Sequence, residues 1–260
     1  MKLGLMPGTP AARMRSLGFE AVQLFYGSNR TDDDADPTVE QIDEALGDGT
    51  VALAAMTLHM DLVGPSGALQ NEIERTARVV GKTAALGRRF GANKRPVLVW
   101  HPSGYPDAAG VDDDVVFRGL CDALGAVCAA AERENVAIAV EITRAGSVSS
   151  AESYLRIKDR VGSDALCVCM DAANFAPDRT PLVRAVRMLA SEIVIAHGKD
   201  AGFHRDGTVD QYGSVGTGEL DYETYLDCLK TYCSVPYFVL EYYQTEEQML
   251  RARDIVLQWL

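Results

Sequence analysis

The sequence predicts an α/β protein, a (β/α)8 TIM barrel built as one domain over residues 1–260. Three observations carry that expectation. Short apolar runs alternate with longer helical patterns, and the alternation repeats eight times. Most of the runs are rich in Val, Ile, Ala and Leu on both faces, as strands are when helices cover one side and a core fills the other. An open doubly wound sheet would usually carry a G-x-G-x-x-G turn after its first strand, and neither of the first two runs is followed by one.

The units follow in order. An apolar run at 3–6 precedes a helix at 11–17, and a run at 21–26 precedes a helix at 38–46 that Thr38 opens ahead of Glu40 and Gln41. The third unit pairs 51–59 with a long helix at 68–90, stopped by Gly91. The fourth pairs 96–101 with 113–134, whose start carries Asp112, Asp113 and Asp114. In the fifth, 136–142 leads to 151–161, framed by Ser150 ahead of Glu152 and by Gly162. The sixth joins 166–171 to 181–189 through Thr180-Pro181. The seventh and eighth pair 193–197 with 222–232 and 237–242 with 246–259, capped by Asp221 and Thr245.

A hydrophobic fraction of 47% suffices for a sizeable core. No apolar run approaches the roughly 20 residues of a membrane helix, and the first residues are too soon broken for a secretory signal. A soluble, cytoplasmic protein with no membrane partner is expected. The formal net charge of −12 opposes nucleic acid as a partner, because phosphate binding needs a basic face. The six cysteines fit neither a zinc knuckle nor a secreted disulfide framework, so they are expected to be free thiols.

The reactive residues collect where a barrel of this class keeps its active site, at the C-terminal strand ends. Of the four histidines, His59, His101 and His197 end the third, fourth and seventh strands, and His204 follows the seventh. Glu141, Asp171 and Glu241 come at or near the ends of the fifth, sixth and eighth. Alternation gives Ala137, Ala139 and Glu141 one face, Cys167, Cys169 and Asp171 another, and Ile193, Ile195 and His197 a third. Any one of these acids could equally cap a helix or pair with a loop arginine. If the faces point inward, three carboxylates and one imidazole converge at the barrel mouth. Carboxylates so gathered repel one another and call for a cation. An oxygen-rich set with one nitrogen suits Mn²⁺, Mg²⁺ or Co²⁺ better than a thiolate-rich zinc site would, and Zn²⁺ stays open. One Mn²⁺ is the first expectation.

These residues resemble a known family. The chain is similar to the xylose isomerase-like barrel superfamily, in its sugar isomerase/epimerase branch, over nearly its whole length. The resemblance is strongest in "GFEAVQLFYG", "VAIAVEI", "CVCMDAANF", "VIAHGKD", "GSVGTGELDY" and "FVLEYY". It implies a metal held by Glu141, Asp171, His197 and Glu241, with Glu141 and Glu241 moving protons on either face of a bound sugar or polyol. Gln23 stands where many members carry Glu, and Asn174 where some epimerases carry a substrate-binding His. The loop "ITRAGSVSS" has Arg144 and no acid. These departures leave the metal set intact and open the question of substrate. The superfamily's DNA-repair endonuclease branch, with three zinc ions, also has a His-Pro like His101-Pro102. It would need further histidines where Asn174 and Tyr212 stand, although Asp210 is present.

A metal-dependent isomerase or epimerase of a ketose or keto-polyol is therefore expected, working by proton transfer through an enediolate. Dehydration of an inosose or keto-glycoside, a nuclease and a non-catalytic sugar-binding barrel are the alternatives. His59, His101, Asn174, Lys199, His204 and Arg205 are the expected substrate contacts, with Trp100 either stacking on the sugar or packing in the core. Asp200 is expected to orient His197 or a loop. Homo-oligomerisation is left open.

Overall fold

A computed structural model describes residues 1–27, 35–47, 49–91, 95–102, 113–143, 146–175, 181–206 and 208–260. Asp112, Arg144 and Thr180 lie outside the described residues. The chain runs β1 (Lys2–Leu5), α1 (Ala11–Ser16), β2 (Ala21–Phe25) and α2 (Val39–Leu46). It continues through β3 (Ala52–His59), a small hairpin of β4 (Val63–Gly64) and β5 (Gly67–Ala68), and α3 (Gln70–Phe90). Then come β6 (Val97–His101), α4 (Asp113–Glu134), β7 (Ala137–Glu141), α5 (Ala151–Val161), β8 (Leu166–Asp171), the single turn α6 (Ala172–Phe175) and α7 (Leu182–Leu189). The last part holds β9 (Ile193–Gly198), a second hairpin of β10 (Asp200–Phe203) and β11 (Val209–Gly213), α8 (Tyr222–Tyr232), β12 (Tyr237–Leu240) and α9 (Glu246–Leu257).

Eight of these strands close into a barrel in the order β1, β2, β3, β6, β7, β8, β9, β12, and each is followed by at least one helix. Closure is direct: β12 pairs parallel with β1, from Lys2 beside Tyr237 to Leu5 beside Leu240. The (β/α)8 expectation holds.

The barrel interior is filled mostly by small side chains. Ala54, Ala55, Val97, Val99, Ala137, Ala139, Cys167, Cys169 and Ile195 form one buried cluster there. The other strand faces carry larger side chains, such as Leu98, Trp100, Ile138, Met170 and Phe238, which pack in the surrounding core. The expected alternation is therefore real, and it continues upward into polar residues. Gln23, Thr57, Glu141, Asp171, His197 and Lys199 are all buried. Register sets Asp171 beside His197 and Glu141 beside Cys169.

The expected caps are largely in place. Thr38 and Ser150 accept from the backbone of Gln41 and Ser153 in reciprocal capping boxes, and Asp221 and Thr245 cap α8 and α9. Gly162 ends α5 in the left-handed region at φ 66°.

Three features differ from the sequence expectation. Both hairpins and α6 were not expected. The long helix expected from 68 starts at Gln70, because Ala68 pairs with Val63. The eighth strand ends at Leu240 rather than 242, since Tyr242 turns to φ 61°. Trp100 is core: it is fully buried and its indole N–H donates to the Met60 carbonyl at 2.7 Å. All six cysteines are free, and among the described residues no helix is long and apolar enough to cross a membrane.

Candidate active site and metal centre

Four side chains meet where β7, β8, β9 and β12 end. One donor atom each from Glu141, Asp171, His197 and Glu241 lies within 4.8 Å of all the others. Glu141 and Asp171 are the last residues of their strands, His197 is the penultimate residue of β9, and Glu241 is the first residue past β12. The Glu241 N–H donates to the Gly198 carbonyl at 3.0 Å, which continues the barrel pairing by one residue and aims the side chain.

The histidine has two distinct sides. Its Nε2 lies 3.1 Å from Gln23 Oε1 and 3.3 Å from Cys169 Sγ. Gln23 in turn donates through Nε2 to Thr57 Oγ1 at 2.7 Å, which leaves its carbonyl oxygen facing the imidazole. That chain assigns the ring proton to Nε2 and leaves a lone pair on Nδ1. Nδ1 lies 3.6 Å from Glu141 Oε2 and 3.8 Å from Glu241 Oε1. A lone pair facing two carboxylates is an arrangement that a cation between them would satisfy.

Glu141 accepts from Asn174 Nδ2 at 3.1 Å and has His101 Nε2 at 3.9 Å. Burial raises its pKa, but the cationic side chains around it, His101 foremost with Lys199 beside it, outweigh burial and pull it down to about 2. Asp171 is fully buried, accepts from the Ala173 N–H at 2.9 Å and has Lys199 Nζ at 2.6 Å from Oδ2. Burial pushes its pKa well above the usual carboxylate range. Lys199 opposes that rise, while Glu241 and Glu141 add to it. Lys199 itself stays charged: burial lowers its pKa, and the three carboxylates around it raise it well above the usual value.

The donor set fits a divalent metal. Three carboxylates crowd one ammonium there. His197 Nδ1 and Glu241 Oε1 are buried and lack a hydrogen bond, although such atoms in a folded protein nearly always have one, and Asp171 Oδ2 faces the Lys199 ammonium at 2.6 Å. Hard oxygens with one imidazole are the ligands that Mn²⁺, Mg²⁺, Co²⁺ or Zn²⁺ accept.

Glu141, His197, Lys199 and Glu241 line a cavity of about 700 Å³, the size of a small-molecule site. His59 and His101 form part of its wall, stacked with ring centres 4.6 Å apart. Other expected contacts lie elsewhere. Asn174 is buried behind Glu141 and does not line the cavity. His204 and Arg205 are exposed beyond β10, and His204 lies 3.4 Å from Asp210. Asp200 orients a loop and not His197: it accepts from the backbone of Ala201, Gly216 and Leu220. Sequence reasoning missed Gln23, beyond its family comparison, and Thr57. A polar residue on the inward face of an apolar strand was the available signal for both.

The family model for the xylose isomerase-like TIM barrel matches residues 11–259. The chain belongs to the xylose isomerase-like TIM barrel family. Solved members of similar fold include the IOLI protein with a bound zinc atom, 17% identical, with a TM-score of 0.72 over 100% of this chain and 99% of that one. The D-allulose 3-epimerase of Methylomonas sp. in complex with D-allulose is 11% identical, with a TM-score of 0.73 over 100% and 97%. The 3-keto-D-glucoside 4-epimerase YcjR of E. coli is 13% identical, with a TM-score of 0.70 over 100% and 98%. At such identities the likeness is one of fold. No curated protein sequence matches the chain. Within the xylose isomerase-like frame, the four clustered candidate residues stand at the ends of four successive barrel strands.

Proposed function

We propose that this protein is a divalent-metal-dependent isomerase or epimerase of a ketose or related keto-polyol. The observation that carries the reading is the placement of Glu141 and Glu241. They come from strands three steps apart around the barrel, and both lie within 4 Å of His197 Nδ1 at the cavity floor. The fold-level likeness to sugar epimerases supports it.

A bound divalent ion would polarise a substrate carbonyl and acidify the neighbouring C–H. Glu141, held anionic by its cationic neighbours and the Asn174 N–H, accepts a proton on one face. Glu241 handles the proton on the other face. Return to the same carbon inverts it, and return to the adjacent carbon converts ketose to aldose. His59 and His101 offer ring nitrogens to sugar hydroxyls along the wall, and the buried His101 Nδ1 lacks a hydrogen bond. Mn²⁺ is the first choice of ion for an oxygen-rich set, with Zn²⁺ the ion named for one fold neighbour.

The test is solvent deuterium uptake by ketoses, inososes and keto-glycosides with Mn²⁺-loaded protein. Metal-dependent exchange is expected, and either Glu141→Gln or Glu241→Gln should lower it by ~10²–10⁴ while metal content falls less. Near-normal exchange in both variants, or none with any substrate in the wild type, would overturn the reading.

A further inference from the structure

Lys199 is buried, yet its side chain enters the acid cluster. Its Nζ lies 2.6 Å from Asp171 Oδ2, 3.4 Å from Glu241 Oε1 and 3.8 Å from Glu141 Oε1. Asp171 Oδ2 is thus within hydrogen-bonding distance of the ammonium, while Glu241 Oε1 lacks a hydrogen bond and meets it as a nearby charge. On its other side stand two rings, Tyr212 at 4.8 Å and Tyr242 at 5.4 Å from Nζ, with their own centres 5.6 Å apart. Tyr242 reaches this position from a left-handed backbone, φ 61°, that a residue with a side chain seldom adopts. The backbone of Lys199 is also held, because the Tyr222 hydroxyl donates to its carbonyl. The ammonium is thus fixed among three candidate metal ligands.

The geometry points to Lys199 as a built-in counter-ion that competes with the divalent metal for Asp171 and Glu241, and so sets how tightly the site holds it. This rests on the metal-dependent reading above. The ammonium offsets the mutual repulsion of the acids and keeps them together. It also repels a second cation placed among the same oxygens. Its removal has two opposite effects: the metal-free cluster loses the Lys199 ammonium, and an incoming divalent ion meets a stronger field.

The test is Mn²⁺ binding to sugar-free protein, read from the paramagnetic resonance of the free ion. Chelator-stripped wild type, Lys199→Gln and Lys199→Arg are compared. Lys199→Gln is expected to bind at least ~10-fold tighter, the scale of one unit charge at about 4 Å in a partly polar interior. Lys199→Arg keeps the charge and stays close to wild type. Equal or weaker binding by Lys199→Gln overturns the counter-ion role, as it would if Lys199 served only the substrate. A wild type that takes up no Mn²⁺, Co²⁺ or Zn²⁺ overturns the metal-dependent reading itself, and the inference with it. Stripped Lys199→Gln leaves three crowded acids without a cation, so a second measurement starts from Mn²⁺-loaded protein. Loss of Mn²⁺ to excess chelator is slower in Lys199→Gln if Lys199 competes for the ligands. An unchanged or faster loss overturns the proposal.

Discussion

His197 has its orientation fixed by Gln23 and Thr57, from β2 and β3. Thr57 sets Gln23, and Gln23 sets the imidazole so that Nδ1 faces the acids. Partners of this kind usually matter about as much as a modest ligand: their loss costs ~10–100-fold in metal affinity. Gln23→Leu keeps a side chain of similar size in a fully buried position. It should weaken Mn²⁺ binding by roughly that factor, measured by competition with a chromophoric chelator. Unchanged affinity would mean that the strand alone orients the ring. Gln23 was visible in the sequence as a polar residue on an inward face. Its partner lies 174 residues away and was not. Asn174 had the same fate: it was expected to meet substrate, and it instead donates to Glu141.

At the scale of elements, the hairpin of β10 and β11 with the loop after it shapes the rim beside Lys199. Asp200 ties these parts together by accepting from three backbone N–H groups at 2.9–3.1 Å. Gly218 has no room for a side chain, since a Cβ there would sit 2.4 Å from both the Ala201 carbonyl oxygen and Asp200 Oδ1. Hydrogen bonds to a buried charge are worth about 1.5–3 kcal/mol each, and orphaned N–H groups add a penalty. Asp200→Ala should therefore destabilise the protein by at least ~2 kcal/mol in urea unfolding. Gly218→Ala should disturb the same loop. A loss under about 0.5 kcal/mol in Asp200→Ala would place it with ordinary surface changes. The hairpin escaped sequence reading because its strands are short, β11 is mostly exposed and polar, and a bulge at Gly202/Phe203 breaks the register.

At the scale of the whole molecule, metal binding is a stability term. An ion held at 100 times its dissociation constant adds ~2.7 kcal/mol, which for a chain of this size corresponds to very roughly 5–10 °C in Tm. Calorimetry before and after chelation should record a fall of that order, restored by Mn²⁺. An unmoved Tm would argue against a tight site. The charge of −12 and the site geometry together bear on nucleic acid. Asn174 is engaged with Glu141, and the Tyr212 ring lies over Lys199. Neither can extend the cluster toward three metals. Clean protein with Mn²⁺ or Zn²⁺ should leave an abasic DNA duplex intact, and efficient nicking would overturn that. The thiols should be equally inert. Burial pushes Cys128 up to about 12 and Cys233 up to about 11. Only Cys233 is partly exposed, so native alkylation near pH 8 should reach it first and slowly, with the rest labelled after unfolding.

The sequence by itself determined the barrel and the four side chains gathered at its mouth. Both are periodic signals: apolar runs at regular spacing specify eight strands, and a period of two specifies which side chain faces inward at each strand end. Glu141, Asp171, His197 and Glu241 could be named because each stands at such an end. The tertiary structure alone decided what those residues touch. Lys199 was expected at the substrate, but its shortest contact is with Asp171, at the end of the adjacent strand. Trp100 went to the core on the outer face of β6, alternating with the inward Val97 and Val99, and His204 and Arg205 went to an exposed rim because hairpin and loop geometry governs them and carries no period. Electrostatics followed the same division. The charge of each residue is local, whereas the pull on Glu141 to about 2, against its burial, comes from His101, Lys199 and other basic side chains on other strands and their loops. Coulomb energies depend on distances and burial that exist only once the barrel has closed.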